Sequence, residues 1–331
     1  MFSGVFRVRC KIQNMNIVIL DGVPLNPGDL DWQPLRELGE LTVYDHTAPE
    51  QLAERIADAE IIFTNKVKIP ADAFEAAPQL KLISVLATGY DVIDLPAARK
   101  HHVTVCNVPS YSAAFTAQTA IALLMELTHH VGLHADAVRA GAWSAQKYFS
   151  FWKTPLVELD EKVLLLVGTG NIGSRVGEIA NAFGMKVLAA QLPGRQSSKS
   201  TFDRIPLKEG LAQADVVSLH CPLTDQTRHL INAERLMQIK RSAFLINTAR
   251  GALVDETALA VALQNDAIAG YAADVVDGEP PRQDNPLLKA KNAIITPHFG
   301  WASRECRQRL LNVSEQNVRA FLNNAPQNVV S

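Results

Sequence analysis

The stretch from Val163 to Phe183, VLLLVGTGNIGSRVGEIANAF, decides the fold of the second half of this chain. It joins a short apolar run, typical of a buried parallel strand, to the glycine pattern GxGxxG and then to a helical segment. In that setting Gly168 permits a tight turn, Gly170 lets a pyrophosphate approach the backbone, and Gly173 lets helix and strand pack closely. The helix N-terminus adds N–H groups and partial positive charge. The stretch therefore predicts a dinucleotide site, and its expected contacts are Gly168, Gly170, Asn171, Ile172 and Gly173.

The choice of dinucleotide depends on the end of the next predicted strand, Lys186–Ala190. An Asp or Glu normally follows that strand and holds the ribose 2′-OH of NAD, but here the residue is Gln191. An amide does not repel the 2′-phosphate of NADP, and Arg195, with Ser197 and Lys199 near it, could pair with that group. A solvated, flexible loop is the alternative interpretation. We expect NAD or NADP to be bound, with a slight preference for NADP.

Apolar runs alternate with helical patterns along the chain, which indicates two doubly wound parallel sheets, each covered on both faces. In the first half the predicted strands are Ile17–Leu20, Leu41–Tyr44, Ile61–Thr64, Leu82–Leu86 and Val103–Cys106. In the second half they are Val163–Val167, Lys186–Ala190, Val216–Leu219, Ala243–Ile246, Ala269–Asp274 and Ala293–Thr296. The predicted helices include Pro49–Ala59, Leu95–His101, a long one over Ala113–Ala140, Arg175–Phe183, and a last one over Ser303–Asn323.

Composition narrows the function classes. The chain has 331 residues, enough for two α/β domains, and 47% hydrophobic against 20% charged residues, which is ordinary for a soluble protein. A formal net charge of −2 gives no general attraction to nucleic acid or anionic membranes. The four cysteines, without a CxxC pair, predict reduced, buried thiols in a cytoplasmic protein with no metal site. The segment before Met15 is either a disordered extension or lies ahead of the true start.

Three polar residues follow predicted strands of the second sheet and are the candidate chemical groups. Arg250 follows Ala243–Ile246, and its planar fork can hold a substrate carboxylate. Glu279 and His298 come after the next two strands, so all three converge on one edge of the sheet. A structural salt bridge is the alternative role for the arginine, and a satisfied structural histidine is the alternative for His298. A carboxylate partner would make the imidazole a proton donor near neutral pH.

The segments around these groups resemble the D-isomer-specific 2-hydroxyacid dehydrogenase family. The resemblance rests on NTARG (247–251), DGEPP (277–281) and TPHFGWAS (296–303), together with LATGYDVID (86–94), NVP (107–109) and the glycine pattern. Within the family the chain is most similar to glycerate dehydrogenases, also called hydroxypyruvate reductases. That narrower resemblance rests on DGVPLNPG (21–28), TNKV (64–67) and FWKTPL (151–156).

The resemblance implies a Rossmann cofactor domain inserted into a flavodoxin-like substrate domain. Residues 15–106 and 298–331 would form the substrate domain and 107–297 the cofactor domain, with hinges near Asn107–Pro109 and Pro297. It also implies a homodimer formed through residues 111–155, with Trp152 bordering the partner's active site. The aromatic run over 143–152 suits such a contact, since surface loops rarely leave so many large rings uncovered; packing within its own chain is the alternative.

The implied reaction transfers a hydride between NAD(P)H and a small 2-keto acid, hydroxypyruvate or glyoxylate, to give the D-2-hydroxy acid. Arg250 and N–H groups around Thr88 and Gly89 would bind the substrate carboxylate, His298 would protonate the keto oxygen, and Glu279 would stabilise the imidazolium. Further implied contacts are Lys66 for substrate, otherwise an exposed lysine, and Cys221, Pro222, Thr248, Asp274, His298 and Gly300 for cofactor. Two alternatives stay open: a dinucleotide-sensing, corepressor-like binding protein on the same fold, and another substrate, such as phosphoglycerate, formate or a bulky keto acid.

Overall fold

The computed structural model describes residues 15–192 and 200–331. These residues form two compact units, one running to Tyr111 and resuming at Ala302–Ser331, the other spanning Ser112–Trp301. The borders fall slightly later in the chain than the sequence suggested, so His298 belongs to the second unit. The reason is a set of hydrogen bonds within that unit: Asp274 accepts the N–H groups of Phe299 and Gly300, and Thr116 Oγ1 donates to the Gly300 carbonyl at 2.8 Å.

The first unit is built on a five-stranded parallel sheet with the order β2-β1-β3-β4-β5, the flavodoxin-like order that the resemblance implied. Its strands are β1 (Met15–Ile19), β2 (Gly39–Val43), β3 (Ile61–Thr64), β4 (Leu82–Val85) and β5 (Thr104–Cys106). Its helices are α1 (Gly22–Leu25), α2 (Gln33–Arg36), α3 (Leu52–Ile56), α4 (Ala73–Ala76), α5 (Leu95–Lys100) and α12 (Arg304–Leu322), with a 3₁₀ turn at Pro49–Gln51.

Helix α12 joins the first unit although it comes last in the chain. Arg307 pairs with Asp29 through Nη1 at 2.6 Å and also donates to the Leu25 carbonyl at 3.0 Å. Asn317 Nδ2 donates to the Asn107 carbonyl at 2.9 Å. These bonds join the two separated parts of the chain that make up this unit.

The second unit is built on a seven-stranded parallel sheet with the order β12-β11-β10-β9-β6-β7-β8. Strands β7 and β8 are added on one side of β6 and strands β9 to β12 on the other side, as in a Rossmann fold. Its strands are β6 (Val163–Val167), β7 (Lys186–Gln191), β8 (Asp203–Pro206), β9 (Val216–Leu219), β10 (Phe244–Asn247), β11 (Gly270–Ala273) and β12 (Ala293–Ile295). Its helices are α6 (Ala113–His129), α7 (Val131–Arg139), α8 (Asn171–Ala182), α9 (Leu207–Gln213), α10 (Ala233–Leu236) and α11 (Glu256–Gln264), with 3₁₀ turns at Gly251–Leu253 and Pro286–Lys289. Two parallel α/β sheets were predicted, and that fold class is confirmed.

The central strands of this sheet are buried on both faces. Along β6, Leu165 and Val167 pack into one hydrophobic cluster, whereas Leu164 and Leu166 pack into the cluster on the other face. Successive side chains of a strand point to opposite faces, so a strand covered by helices on both sides must be apolar at every position. This is why the strands show as continuous apolar runs.

Two features of the second unit differ from expectation. The predicted helix over Ala113–Ala140 is two helices, because His130 adopts a left-handed conformation (φ 47°) and its N–H closes α6 on the Glu126 carbonyl. The apolar pattern continues through the break, so spacing alone does not reveal it. Strand β8 was not predicted, since it is a short edge strand that ends in Pro206, a residue tolerated at edges.

The prediction of buried thiols concerns three cysteines that the structure describes. Cys106, Cys221 and Cys306 are buried free thiols, and Cys10 lies outside the described residues. None of the helices in residues 15–192 and 200–331 is long and apolar enough to cross a membrane.

Candidate active site

The glycine loop between β6 and α8 has the shape that a pyrophosphate requires. Gly168 has φ +109°, and a Cβ there would strike the backbone of His220 and Cys221. A Cβ on Gly173 would run into the Gly168 carbonyl, whereas one on Gly170 would meet no heavy atom within 4 Å. The first turn of α8 has no side-chain cap and no acidic residue. Backbone packing thus leaves no room for a side chain at Gly168 or Gly173, whereas open space lies beside Gly170. This arrangement fits a phosphate bound at a helix N-terminus.

An arginine that the sequence did not indicate also contacts the glycine loop. Arg204 lies on β8, and its Nη2 donates to Thr169 Oγ1, between Gly168 and Gly170, at 3.1 Å. Gln191 is exposed at the end of β7, and Arg195 lies outside the described residues. Only the pairing of β8 with β7 brings Arg204 to this loop, and that strand has no clear sequence signal.

His298 and Glu279 form a hydrogen-bonded pair. His298 Nδ1 lies 2.6 Å from Glu279 Oε2, and the two side chains are 28% and 29% exposed. Glu279 Oε1 accepts the Val276 N–H at 3.3 Å, which orients the carboxylate. With Nδ1 engaged by the carboxylate, Nε2 is the ring atom available for proton exchange. The pair therefore has the histidine–carboxylate arrangement of a general acid–base group.

Asp274 holds the backbone on which His298 lies. Its Oδ1 accepts from Thr296 Oγ1 at 2.6 Å and from the Phe299 N–H at 3.0 Å, and its Oδ2 accepts from the Gly300 N–H at 2.6 Å. Burial raises the pKa of the Asp274 carboxyl, and these hydrogen bonds and the charge of His298 oppose that rise. His298 has φ 52°, a strained conformation for a residue with a Cβ, which persists when the surroundings impose it.

Arg250 lies on a turn that abuts the segment leading to Glu279. The Asn247 side chain donates to the Arg250 carbonyl and accepts the Ala249 N–H, which shapes the turn after β10. Gly251 packs so closely on the Val276–Asp277 backbone that a Cβ has no room. The guanidinium is exposed and donates to the Ala249 carbonyl at 2.8 Å. The packing thus brings two of the three segments predicted for chemistry side by side.

The other predicted residues fall in both units. In the second unit, Thr248 Oγ1 is buried without a hydrogen-bond partner among the described residues, and the Pro222 carbonyl accepts from Thr227. In the first unit, the Lys66 N–H donates to Asp21, and Thr88 Oγ1 donates to the Val108 carbonyl at 2.8 Å.

The described residues contain no group of three or more His, Cys, Asp or Glu side chains arranged to hold a metal ion.

Hydride transfer to a carbonyl needs a bound dinucleotide and a group that exchanges a proton. The second unit has a glycine loop that suits the first and a His298–Glu279 pair that suits the second, and this combination is typical of a dinucleotide-dependent dehydrogenase.

Comparison with known proteins identifies the family. Residues 121–300 match the family model described as the NAD-binding domain of D-isomer specific 2-hydroxyacid dehydrogenases. The chain is 44% identical over 323 residues to a hydroxypyruvate reductase of Blautia hydrogenotrophica, covering 96% of this chain and 100% of that one. It is 41% identical over 294 residues to a glycerate dehydrogenase of Methylorubrum extorquens, covering 88% and 92%.

A solved structure agrees with these sequence matches. The NADPH-dependent glyoxylate/hydroxypyruvate reductase of Sinorhizobium meliloti, in complex with NADP and malonate, matches with a TM-score of 0.79 and 25% identity, over 96% of this chain and 97% of that one. The chain belongs to the D-isomer specific 2-hydroxyacid dehydrogenase family, as the resemblance predicted. It is an oxidoreductase that acts on 2-keto and 2-hydroxy acids.

Proposed function

We propose that this enzyme reduces a small 2-keto acid, hydroxypyruvate or glyoxylate, to the D-2-hydroxy acid with NAD(P)H. The observation that carries the proposal is the 2.6 Å contact between His298 and Glu279 in the unit that bears the glycine loop. The names of the relatives support the substrate: one is a hydroxypyruvate reductase, one a glycerate dehydrogenase, and one a glyoxylate/hydroxypyruvate reductase.

In the proposed mechanism each chemical group has one task. Arg250 binds the substrate carboxylate with its planar fork and polarises the keto group. His298 gives a proton to the keto oxygen, and Glu279 orients the imidazole and stabilises its positive charge. The nicotinamide supplies the hydride when the cofactor is bound. The substrate contacts of Lys66, Thr88 and Gly89 stay predictions.

Substitutions test these tasks. We expect His298→Ala to lower kcat by about 10²- to 10⁴-fold, the usual contribution of a positioned acid–base group. Arg250→Ala should lower kcat and also raise KM for the keto acid, because it removes both carboxylate binding and polarisation. His102→Ala, at an exposed position in the other unit, is the control and should leave turnover unchanged. Near-normal turnover of either active-site variant would remove that residue from the mechanism.

A spectrophotometric panel tests the substrate and the cofactor. Oxidation of NADH and of NADPH would be followed with glyoxylate, hydroxypyruvate, pyruvate and a bulky 2-keto acid. We expect the highest kcat/KM with hydroxypyruvate or glyoxylate, and activity with both cofactors. Absence of activity with every keto acid would favour a dinucleotide-sensing binding protein instead. A strong preference for NADH would contradict the interpretation of Gln191.

We also propose that the enzyme is a homodimer formed through the surface around α7 and the aromatic segment that follows it. Val131 on α7 is 62% exposed, and Tyr148, Phe149 and Trp152 are 77%, 89% and 68% exposed. A group of large apolar side chains this exposed is typical of an interface. Light scattering coupled to gel filtration should give twice the chain mass, and Phe149→Glu should give the monomer mass. A monomeric wild type would overturn this proposal.

A further inference from the structure

Glu279 lies on an exposed loop of the second unit. Residues 277–285 form this Glu279 loop, in which every residue before Asn285 is exposed. The loop begins after the buried Val276 and ends before Leu287, which is buried in a hydrophobic cluster of this unit. An exposed loop has few buried contacts of its own to fix its position. The place of Glu279 therefore depends on how the two ends of the loop are held.

One carboxylate contacts both ends of the Glu279 loop. Glu256 Oε1 accepts the Asp277 N–H at 2.7 Å, and Glu256 Oε2 accepts from Asn285 Nδ2 at 2.6 Å. Glu256 lies in the first turn of α11, where the helix dipole favours a negative charge. The N-cap of this helix is a different residue, Asp255, whose side chain accepts the Ala258 N–H at 3.0 Å. The two bonds from the loop to Glu256 are therefore not part of the capping of α11.

The two loop ends both require an acceptor. Asn285 begins the 3₁₀ turn Pro286–Lys289, and its Oδ1 accepts the Leu287 N–H at 2.9 Å. Because the amide oxygen is used there, the amide presents its N–H groups on its other side. The other end of the loop presents the Asp277 N–H, which is also a donor. A carboxylate accepts from both ends, whereas an amide in its place would set a donor against one of them.

A separate carboxylate holds the histidine side of the catalytic pair. Asp274 accepts the two backbone N–H groups that follow His298 and so fixes the segment that carries the imidazole. Glu256 has the corresponding place on the segment that carries Glu279. The contact between His298 Nδ1 and Glu279 Oε2 is 2.6 Å long, and a displacement of about 1 Å takes such a pair beyond hydrogen-bond distance. Both segments must therefore keep their places.

We propose that Glu256 is a positioning residue for the reaction: its carboxylate joins both ends of the Glu279 loop and thereby holds Glu279 against His298. This inference rests on the proposed function, because it requires that the His298–Glu279 pair exchange a proton during turnover. The competing explanation is that Gly251 holds the loop by packing on the Val276–Asp277 backbone. That packing acts on the first end of the loop, whereas Glu256 contacts both ends.

An exchange of chemical groups between Glu256 and Asn285 tests the bridge. Glu256→Gln sets an amide N–H against the Asn285 amide, and Asn285→Asp sets a second carboxylate against Glu256 but keeps an acceptor for the Leu287 N–H. In the double variant, the introduced glutamine accepts the Asp277 N–H and donates to the introduced carboxylate, so each donor again meets an acceptor.

We expect each single variant to lower kcat for glyoxylate or hydroxypyruvate reduction by about 10-fold or more, as misplacement of a reacting group does. The double variant should recover kcat to within about 3-fold of the wild type, since the two sites are directly coupled. If a single variant fails to fold, Glu256→Ala, which introduces no mismatched group, takes its place and should lower kcat by a similar factor.

Two further readouts separate positioning from a general structural role. One is the KM for the keto acid, and the other is the affinity for 5′-AMP, an adenosine ligand that probes the glycine loop in calorimetric titration. Both should change by less than about 2-fold in every variant, because carboxylate binding and dinucleotide binding do not involve the bridge. Glu234→Gln is the matched control: it removes the same charge from the first turn of α10, at an exposed position, and should leave kcat unchanged.

Several results would overturn the proposal. Wild-type kcat in both single variants, with a large loss in His298→Ala, would show that the loop keeps its place without Glu256 and would leave the proposed function intact. Losses that the double variant does not reverse would show that the bridge to Asn285 is not their cause. Equal losses of kcat and of 5′-AMP affinity would show a general structural role. Near-normal kcat in His298→Ala would reject the proposed function and this inference together.

Discussion

At the scale of single residues, two carboxylates hold other groups of the candidate active site in position. Glu279 orients His298, and Asp274 fixes the strained backbone of His298 through Thr296, Phe299 and Gly300. A histidine at a strand end acquires a definite geometry only through such partners. In the proposed mechanism, the position of His298 therefore depends on Asp274, even though the Asp274 oxygens are bonded to protein groups.

We predict that Asp274→Ala lowers both stability and turnover. The substitution leaves the Phe299 and Gly300 N–H groups without their acceptor, which should reduce the free energy of unfolding by about 2–4 kcal/mol. The segment carrying His298 should then lose its position, so kcat should fall by about 10-fold or more, while 5′-AMP affinity is retained. Thermal unfolding and steady-state kinetics measure both effects. Thr296→Val, which removes one of the three bonds, is the graded control, and unchanged kcat in Asp274→Ala would contradict the positioning role.

His220 provides a pH-dependent prediction. Burial lowers its pKa from 6.5 to about 4, and its Nε2 lies 2.8 Å from Ser218 Oγ. Between about pH 6.5 and pH 4, His220 therefore binds a proton in the unfolded chain but not in the folded chain. The free energy of unfolding falls as the pH falls through that window. The expected loss is about 3 kcal/mol.

Denaturant unfolding of the wild type and of His220→Gln at several pH values measures this contribution. The variant should show a shallower loss of stability between pH 6.5 and pH 4, because the titrating group is gone. His102→Gln, at an exposed histidine, should keep the wild-type slope. Parallel slopes for His220→Gln and the wild type would show that His220 is not held neutral.

At the scale of elements, the loop between β6 and α8 contains one glycine that packing requires and another that leaves space for a ligand. Gly173 is needed because a Cβ would meet the Gly168 carbonyl. Gly170 has φ −75° and ψ −165°, an extended conformation open to any residue, and open space lies where its Cβ would be. The two glycines of one loop therefore have different physical roles.

We predict opposite phenotypes for two alanine substitutions in this loop. Gly173→Ala should lower the free energy of unfolding by about 1–3 kcal/mol through overpacking. Gly170→Ala should leave the unfolding temperature within about 2 °C of wild type, but weaken 5′-AMP, because its methyl group lies where a phosphate would approach. Differential scanning calorimetry and ligand titration give the two readouts. Equal loss of stability in both variants would contradict the assignment.

At the scale of the whole molecule, each unit has its own parallel sheet, and α12 completes the first unit from the far end of the chain. Arg307 is 7% exposed and is bonded to Asp29, Leu25 and Ala302. Arg307 therefore links the two separate parts of the chain that form the first unit.

We predict that Arg307→Met destabilises the first unit by about 2–3 kcal/mol, because the Leu25 carbonyl loses its donor and Asp29 its partner. Hydrogen–deuterium exchange should speed up in β1 and α12 and stay unchanged in β6 and β9. Arg304→Met, at the exposed start of the same helix, should leave both regions as in the wild type. Faster exchange throughout the second unit would contradict a local role for Arg307.

The sequence by itself determined the fold class and located the dinucleotide loop, and it predicted Arg250, Glu279 and His298 as the chemical groups. These depend on local spacing: continuous apolar runs for strands buried on both faces, glycines at fixed intervals, and polar residues directly after strands. Such patterns involve residues close together in the chain, so they can be recognised without the fold. The resemblance to the family added the roles of individual residues, which spacing does not provide.

Only the tertiary structure decided which residues touch. The 2.6 Å contact of His298 with Glu279, the support of that loop by Asp274, and the approach of Arg204 to Thr169 join residues on different strands or loops. The left-handed His130, which divides the predicted long helix, leaves the apolar pattern unchanged. Contacts of this kind depend on sheet register and packing, which a linear pattern does not encode. The place of Arg204 beside the nucleotide loop follows from β8 lying next to β7, and no local signal in the sequence indicates it.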